Sequence, residues 1–506
     1  MNALSEQLLS ELRHLLSEMS DGGSVGPCVY DTARALQFHG NLTGRQDAYA
    51  WLIAQQQADG GWGSADFPLF RHAPTWAALL ALQRADPLPG AADAVQAAIR
   101  FLERQPEPYA HAVPEDAPIG AELILPQLCG EAASLLGGVA FPRHPALLPL
   151  RQACLLKLGA VATLPSGHPL LHSWEAWGTS PATLCPDDYG SIGISPAATA
   201  AWRAHAVKQG STPQVGRADA YLQAASRATH SGIEGVVPNV WPINVFEPCW
   251  ALYTLHLVGL FAHPALADAV RVIVAQLDAR LGVRGLGPAL HFAADADDTA
   301  VALCVLRLAG RAPAVDALRH FEIGELFVTF PGERNASVST NIHALHALRL
   351  LGKPAAGTST YIEAKRNPHG LWDNEKWHVS WLYPTAHAVA ALAQGKPQWR
   401  DERALAALLQ AQRDDGWGAG RASTFEETAY ALFTLHVMNG SEEPTGRRRI
   451  AQAVARALEW MLARHAAHKM PEAPLWIGKE LYCPTRVVRV AELAGLGWRF
   501  VGGGAS

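Results

Sequence analysis

The chain has 506 residues, 49% of them hydrophobic and only 17% charged, with a formal net charge of −5. That length suits two or three ordinary domains, or two large helical barrels sharing one interface, and the apolar composition argues against a disordered or coiled-coil chain. With slight acidity and no sustained Lys/Arg block, nothing points to nucleic acid as a partner, and an anionic substrate would need a local basic pocket.

Residues 1–20 predict an amphipathic helix carrying Leu8, Leu12, Leu15 and Met19, with Glu6, Glu11 and Glu18 interrupting any apolar core of a secretory signal. Apolar positions then recur at helical spacing over 74–83, 300–309, 343–351, 386–393, 425–437 and 450–462, and strand-like alternation is rare, so the chain reads as all-α. Turn-rich pieces separate these helices. Two of them, Gln57 to Gly63 and Gln412 to Gly418, carry nearly the same text, and a weaker copy runs from Glu363 to Trp372. Gln bonding a helix end, Gly permitting the reversal and Trp packing on the neighbouring helix make this a staple of α-barrels. The best copies lie near either end, which suits one barrel per copy. Prolines and small residues predict loops over 178–200 and 209–216, a boundary falls near 240, and the tail Gly502 to Ser506 reads as frayed. Seven scattered cysteines, odd in number and without CxxC spacing, read as reduced thiols of a cytoplasmic protein. The longest apolar stretches, such as 251–263, are too short and His-interrupted to span a bilayer, which leaves peripheral membrane contact open.

The segment Asp295-Ala296-Asp297-Asp298-Thr299-Ala300 packs three carboxylates into four positions just before an apolar helical run. Asp297 or Asp298 is placed to serve as the N-cap. Like charges at close range and desolvation both raise carboxyl pKa values, so one member of such a cluster stays protonated near neutral pH. A carboxylic acid in an apolar pocket is a Brønsted acid suited to a weak base, and the weakest base biology routinely protonates is a carbon–carbon double bond. The middle Asp297 is the natural donor, with Asp295 and Asp298 holding or reloading the proton. From this motif alone, a solvated cap or a metal-binding loop is an equal alternative.

The surrounding text resembles one family. DADDTA is similar to the DxDD acid motif of class II terpene cyclases, Tyr30-Asp31-Thr32-Ala33 to their YDTA segment, and the DGGWG and DDGWG turns to their QW repeats. Phe425 to Tyr430 and Leu475 to Tyr482 resemble later family segments, so the resemblance runs over nearly the whole chain. Leu171-His172-Ser173 and Pro238-Asn239-Val240 resemble the LHS and PNV motifs of diterpene cyclases that make ent-copalyl diphosphate, in which the His and Asn jointly hold a water that removes the final proton. Neutral imidazole accepts a proton and a carboxamide orients water, and neither offers an anion for a carbocation to alkylate.

The resemblance implies two (α/α) barrels, β (1–21 and 241–506) and γ (22–240), with the active site between them. It implies protonation-initiated bicyclisation of geranylgeranyl diphosphate to ent-copalyl diphosphate, with the diphosphate retained and a copalyl diphosphate of other stereochemistry as the alternative product. Glu115 and Asp116, ahead of Pro118-Ile119-Gly120-Ala121-Glu122, resemble the acidic stretch linked with Mg2+, although Ala121 stands where the family has Phe. Lys376, in Glu375-Lys376-Trp377-His378, is the implied diphosphate contact, against a plain surface lysine. Asn341 and His343 fall where the family places a polar partner for the catalytic Asp; two apart on a helix, they do not both face it, and Asn341 is preferred because an amide orients an acid without taking its proton. No DDxxD triad is present, so the product is expected to pass to a separate class I synthase of ent-kaurene type, in gibberellin-like or kaurane-type metabolism. A homodimer is left open.

Other classes fit less well. A triterpene cyclase shares DxDD and QW turns but resembles longer chains and does not need LHS and PNV. A protein prenyltransferase subunit needs an Asp-x-Cys zinc pair, which no cysteine here supplies. A helical-barrel glycoside hydrolase uses paired carboxylates but is more often secreted. A noncatalytic α-barrel interaction module leaves Asp295, Asp297 and Asp298 unexplained.

Overall fold

The computed structural model describes residues 2–19, 21–137, 143–159, 164–177, 184–210, 212–333, 335–396, 399–439, 444–465 and 473–501. Among these the strands are confined to two short antiparallel hairpins, Glu322–Ile323 with Leu326–Phe327 and Trp476–Ile477 with Leu481–Tyr482. The rest of the regular structure is helical, as the apolar periodicity predicts.

The helices Phe246–Leu257, Ala296–Leu308, Val338–Leu350, Leu382–Ala393, Phe425–Met438 and Thr485–Val501 pack each on the next, and the last on the first, closing a ring. Inner helices are enclosed on every side, which is why their sequences are apolar all round: every residue from Phe246 to Leu255, and from Leu382 to Val389, is buried. Outer helices are amphipathic instead, and Glu402–Ala411 buries only Ala404, Leu405 and Leu408. A second ring is formed by Val29–Phe38, His72–Gln83, Ala121–Leu136, the 3-10 segment Pro169–Ala176 and Pro196–Lys208. Two large hydrophobic cores result, beside a small third cluster of Phe70, Ile477 and Leu481. One gathers residues from Leu8 to Val25 and from Ile243 to Leu496, the other those from Cys28 to Trp241, so the chain leaves the first core after one helix and returns to it later.

The repeated turns pin outer helices to inner ones. Trp62, Trp372 and Trp417 are fully buried. Their indole N–H groups donate to the carbonyls of Leu52, Ile362 and Leu408 at 2.7, 2.8 and 2.8 Å, on the helix before each turn. Their backbone N–H groups donate to the hydroxyls of Thr75, Thr385 and Thr428, on the helix after it. Leu286 occupies the same place in a fourth turn: its N–H donates to Thr299 Oγ1 at 3.0 Å, and that hydroxyl donates back to the Leu286 carbonyl. This copy has no Trp to betray it in the sequence, yet it fixes the start of the helix that carries the Asp cluster.

Two expectations need correction. Part of the loop predicted over 178–200 is helix Pro196–Lys208, because Ser195 caps Ala198 N–H and Pro196 at the first helical position has its φ preset. Most of 209–216 belongs to helix Thr212–Ala228. Residues 178–183 and the tail 502–506 lie outside the described residues. None of the seven cysteines forms a disulfide, and no described helix is long and apolar enough to cross a membrane.

Candidate active site

Asp295, not Asp297 or Asp298, is the N-cap of helix Ala296–Leu308: its extended backbone lets Oδ1 accept the Asp298 N–H at 2.8 Å. All three carboxyls are buried, at 3, 7 and 4% exposure for Asp295, Asp297 and Asp298. Burial pushes both Asp295 and Asp298 up; at Asp298 the charge and hydrogen bond of Asp295 add to it, while at Asp295 the hydrogen bonds from Asp298 oppose it, so the pair holds on to a proton that Asp298 keeps more tightly. Asp297 turns away from the pair, and its Oδ1 lies 2.6 Å from His343 Nδ1. His343 Nε2 in turn lies 2.9 Å from His387 Nδ1. With Nδ1 as donor, His343 occupies Oδ1 and leaves Oδ2 of Asp297 outside this bond.

The preference for Asn341 as the partner of Asp297 is corrected. Asn341 donates to the carbonyls of Phe327 and Ser337 at 2.8 Å each and accepts the Phe327 N–H at 2.9 Å, so its amide ties a hairpin to the helix. His343, two positions on and pointing the other way, takes the role. Its helix is anchored by Glu375, whose carboxylate accepts the Ser339 N–H at 2.8 Å and the Ser339 hydroxyl at 2.6 Å. Beside the acid stands an aromatic wall with fixed rings. Trp250 stacks on Phe246 at 4.4 Å, donates to the Tyr383 hydroxyl at 2.9 Å and meets His343 edge-on at 5.7 Å. Trp476 closes the wall 5.1 Å from Tyr383 and is held by Glu426.

The hairpin Trp476–Tyr482 then passes from this core into the other. Lys479, fully buried, bonds Asp31 at 3.1 Å, Glu175 at 3.0 Å and Ser195 at 2.7 Å. Glu480 accepts the N–H groups of Val29 and Tyr30, capping the first helix of the second ring. Asn239 donates to Asp31 at 3.2 Å and so joins the Lys479 cluster. His172 pairs Nδ1 with the Gly193 carbonyl at 2.9 Å, which makes Nε2 the acceptor. Burial, and after it the charge of Lys479, lower the His172 pKa to about 3, so the ring is neutral. YDTA and LWIGKELY carry this cluster, but a pairing between residues 448 positions apart leaves no local signal. Asn239 also packs on Gly478, where any Cβ would collide with its Oδ1. Gly478→Ala is therefore expected to push Asn239 off Asp31 at a cost of about 1–3 kcal/mol, measured by urea unfolding; an unchanged midpoint would show that this contact yields freely.

Two remaining expectations fall at the edge of the site. Lys376 forms an ion pair with Glu333 at 2.6 Å and is partly exposed. Glu115 is engaged by Lys365 Nζ at 3.2 Å, and burial pushes the carboxyl of Asp116 toward its neutral form, which ligates metal poorly. Among the described residues no group of three or more His, Cys, Asp and Glu is arranged to hold a metal ion.

No family model matches the chain. It is 93% identical to an uncharacterized protein of Sinorhizobium fredii, over 98% of this chain and 96% of that one. It is 34% identical to the (+)-kolavenyl diphosphate synthase of Herpetosiphon aurantiacus over 98% of each chain. Its backbone matches the ent-copalyl diphosphate synthase of Streptomyces platensis with a TM-score of 0.82 and 30% identity, over 97% of this chain and 99% of that one. Cyclases of this kind begin by protonation and without a metal, which, together with the Glu115–Lys365 pair, overturns the expectation of Mg2+ at Glu115 and Asp116. With relatives of this identity matched over nearly its full length, the chain belongs to the class II diterpene cyclases.

Proposed function

We propose that the protein cyclises geranylgeranyl diphosphate to ent-copalyl diphosphate. The observation that carries the reading is the buried Asp297, bonded to His343 at 2.6 Å beside the wall of Trp250, Tyr383 and Trp476. Asp297 gives its proton to the terminal double bond of the folded chain, and two internal alkenes attack the resulting tertiary cation in turn to close a decalin. Aromatic faces stabilise the passing charge. A water held between His172 Nε2 and Asn239 takes the final proton, so the reaction is an isomerisation and the diphosphate is kept. Lys376, partly exposed, contacts the diphosphate in competition with Glu333. In domain terms, 1–21 and 241–506 form the β barrel and 22–240 the γ barrel, a division that the two separate cores support. A product that keeps its diphosphate calls for a separate class I synthase to ionise it.

The test is incubation with geranylgeranyl diphosphate, dephosphorylation, and chiral gas chromatography with mass detection. Bicyclic copalol of ent configuration is the expected product. A second reading follows the 34% identical relative, with (+)-kolavenyl diphosphate as the product, and the same chromatogram separates the two. No turnover of this substrate would sink both. His172→Ala is expected to divert product toward a water-quenched, hydroxylated bicycle. Because burial holds the His172 pKa at about 3, the wild-type product mixture should stay constant between about pH 5 and 8; a change of products centred near the ordinary histidine pKa would show an exposed, titrating ring instead.

A further inference from the structure

A class II cyclase gives away a proton at its acid in every turnover and releases one elsewhere, so the acid must be reloaded each time. On the proposed reading, substrate and product cover the Asp297 oxygen that His343 does not bond. On its other side the core of the barrel contains an uncommon run of polar rings. His343 and His387 continue directly from Asp297 at 2.6 and 2.9 Å. Tyr253 lies next, its ring 5.4 Å from those of both His343 and His387. The Tyr253 hydroxyl is 2.7 Å from His346 Nδ1, and the His346 ring is 5.5 Å from His256. His256 sits in the last turn of helix Phe246–Leu257 and is the half-buried member of the series; His343, His346 and His387 are at most 1% exposed.

We propose that this column, His256, His346, Tyr253, His387 and His343, is a proton relay that reloads Asp297 from the far end of the barrel. The proposal rests on Asp297 being the acid. A buried histidine nitrogen left without a partner is costly. His387 Nε2 is buried without a hydrogen-bond partner, and its ring lies 5.4 Å from that of Tyr253. A water bridging from His387 to the Tyr253 hydroxyl would satisfy it and complete the series.

The proton count closes. Asp297 becomes a carboxylate when the alkene takes its proton. His343 gives its Nδ1 proton to Oδ1 and receives one at Nε2 from His387 Nδ1, and His387 receives one at Nε2 from the Tyr253 side. Tyr253 is resupplied through His346, and His256 draws the replacement from solvent. Each ring gains a proton on one nitrogen as it loses one from the other and resets by exchanging tautomer. A half-turn about the Cβ–Cγ bond of Asp297, a soft torsion, presents the loaded oxygen to the next substrate. Such passage requires rings that do not trap the proton. Burial lowers the pKa of His256 to about 4 and that of His346 to about 3, and holds His387 well below the ordinary value, so each is neutral between transfers.

The test separates the first turnover from later ones. Enzyme with its acid loaded is mixed with excess geranylgeranyl diphosphate and quenched over time, for wild type, Tyr253→Phe and His256→Leu. The first product per enzyme should form at the wild-type rate, and later turnovers should slow by about tenfold or more in both variants, since general acid–base groups contribute on that scale or above. Unchanged later turnovers in both variants would overturn the relay and show that the acid reloads from the mouth of the site. First and later turnovers slowed in equal measure would also overturn it, leaving the rings a positioning role. Failure of the wild type to convert this substrate at all would instead reject the proposed function.

Discussion

Asp297→Asn is expected to reduce product formation by about 10⁴-fold, the upper end of what a general acid contributes. Asparagine has the shape of the aspartic acid and keeps an oxygen for His343 to bond, so the fold should be unaffected and the unfolding midpoint should move little. The lost proton has no substitute at this point. Asp298 keeps its proton in a buried pair with Asp295, whose Oδ1 is spent on the Asp298 N–H at the helix start. His343→Phe should cost less, about 10²-fold, because it removes one charge-assisted bond and the orientation it gives, but not the acid itself. The double variant should be no slower than Asp297→Asn alone, as expected of two groups acting as one unit. If Asp297→Asn retained more than about a hundredth of wild-type activity, well outside the expected loss for an acid, the proton would have to come from another carboxyl.

How far the site was legible depended on whether its signals were local. The three aspartates stand within four positions, and their crowding and the helix after them could be read directly; the structure changed only which of them caps the helix. The inner helices were visible as runs without a polar face. The partner of Asp297 was harder, because Asn341 and His343 both sit in the right helix and only the three-dimensional arrangement shows the amide spent on Phe327 and Ser337. A better guide was available in the spacing of His343 and His346 with His387, polar residues in otherwise apolar inner helices. The fourth repeat at Leu286 was hidden because its tryptophan is missing, although the threonine it bonds stands in DADDTA itself. Lys479 was out of reach for another reason: its partners Asp31, Glu175 and Ser195 come from three distant stretches of the chain, and a lysine in LWIGKELY reads as solvated until its burial is known.

That burial makes Lys479→Met the substitution with the largest expected effect on stability, about 3–5 kcal/mol, the range found when one partner of a buried ion pair is removed. Methionine fills the space of the side chain but leaves Asp31 and Glu175, both fully buried at their side chains, without a cation. In the native protein the two carboxylates more than offset the burial of Lys479 and keep it charged, while burial outweighs the ammonium at Asp31 and raises its carboxyl to about 6. Without the lysine, the Asp31 carboxyl rises further above its unfolded value near 4. A raised carboxyl pKa means that the folded state binds the proton more tightly than the unfolded one, so the penalty is small at low pH and grows as pH climbs through the folded pKa. The loss should accordingly be greater at pH 8 than at pH 5. Urea unfolding of both proteins at the two pH values measures it. A loss below about 1 kcal/mol at pH 8 would place the cluster among surface-like ion pairs of little worth. A loss equal at both pH values would mean that missing packing, not the uncompensated carboxylates, is the cause. Because Asp31 also holds the amide of Asn239, the folded variant should show a second change that packing alone would not produce, an increase in hydroxylated product like that of His172→Ala.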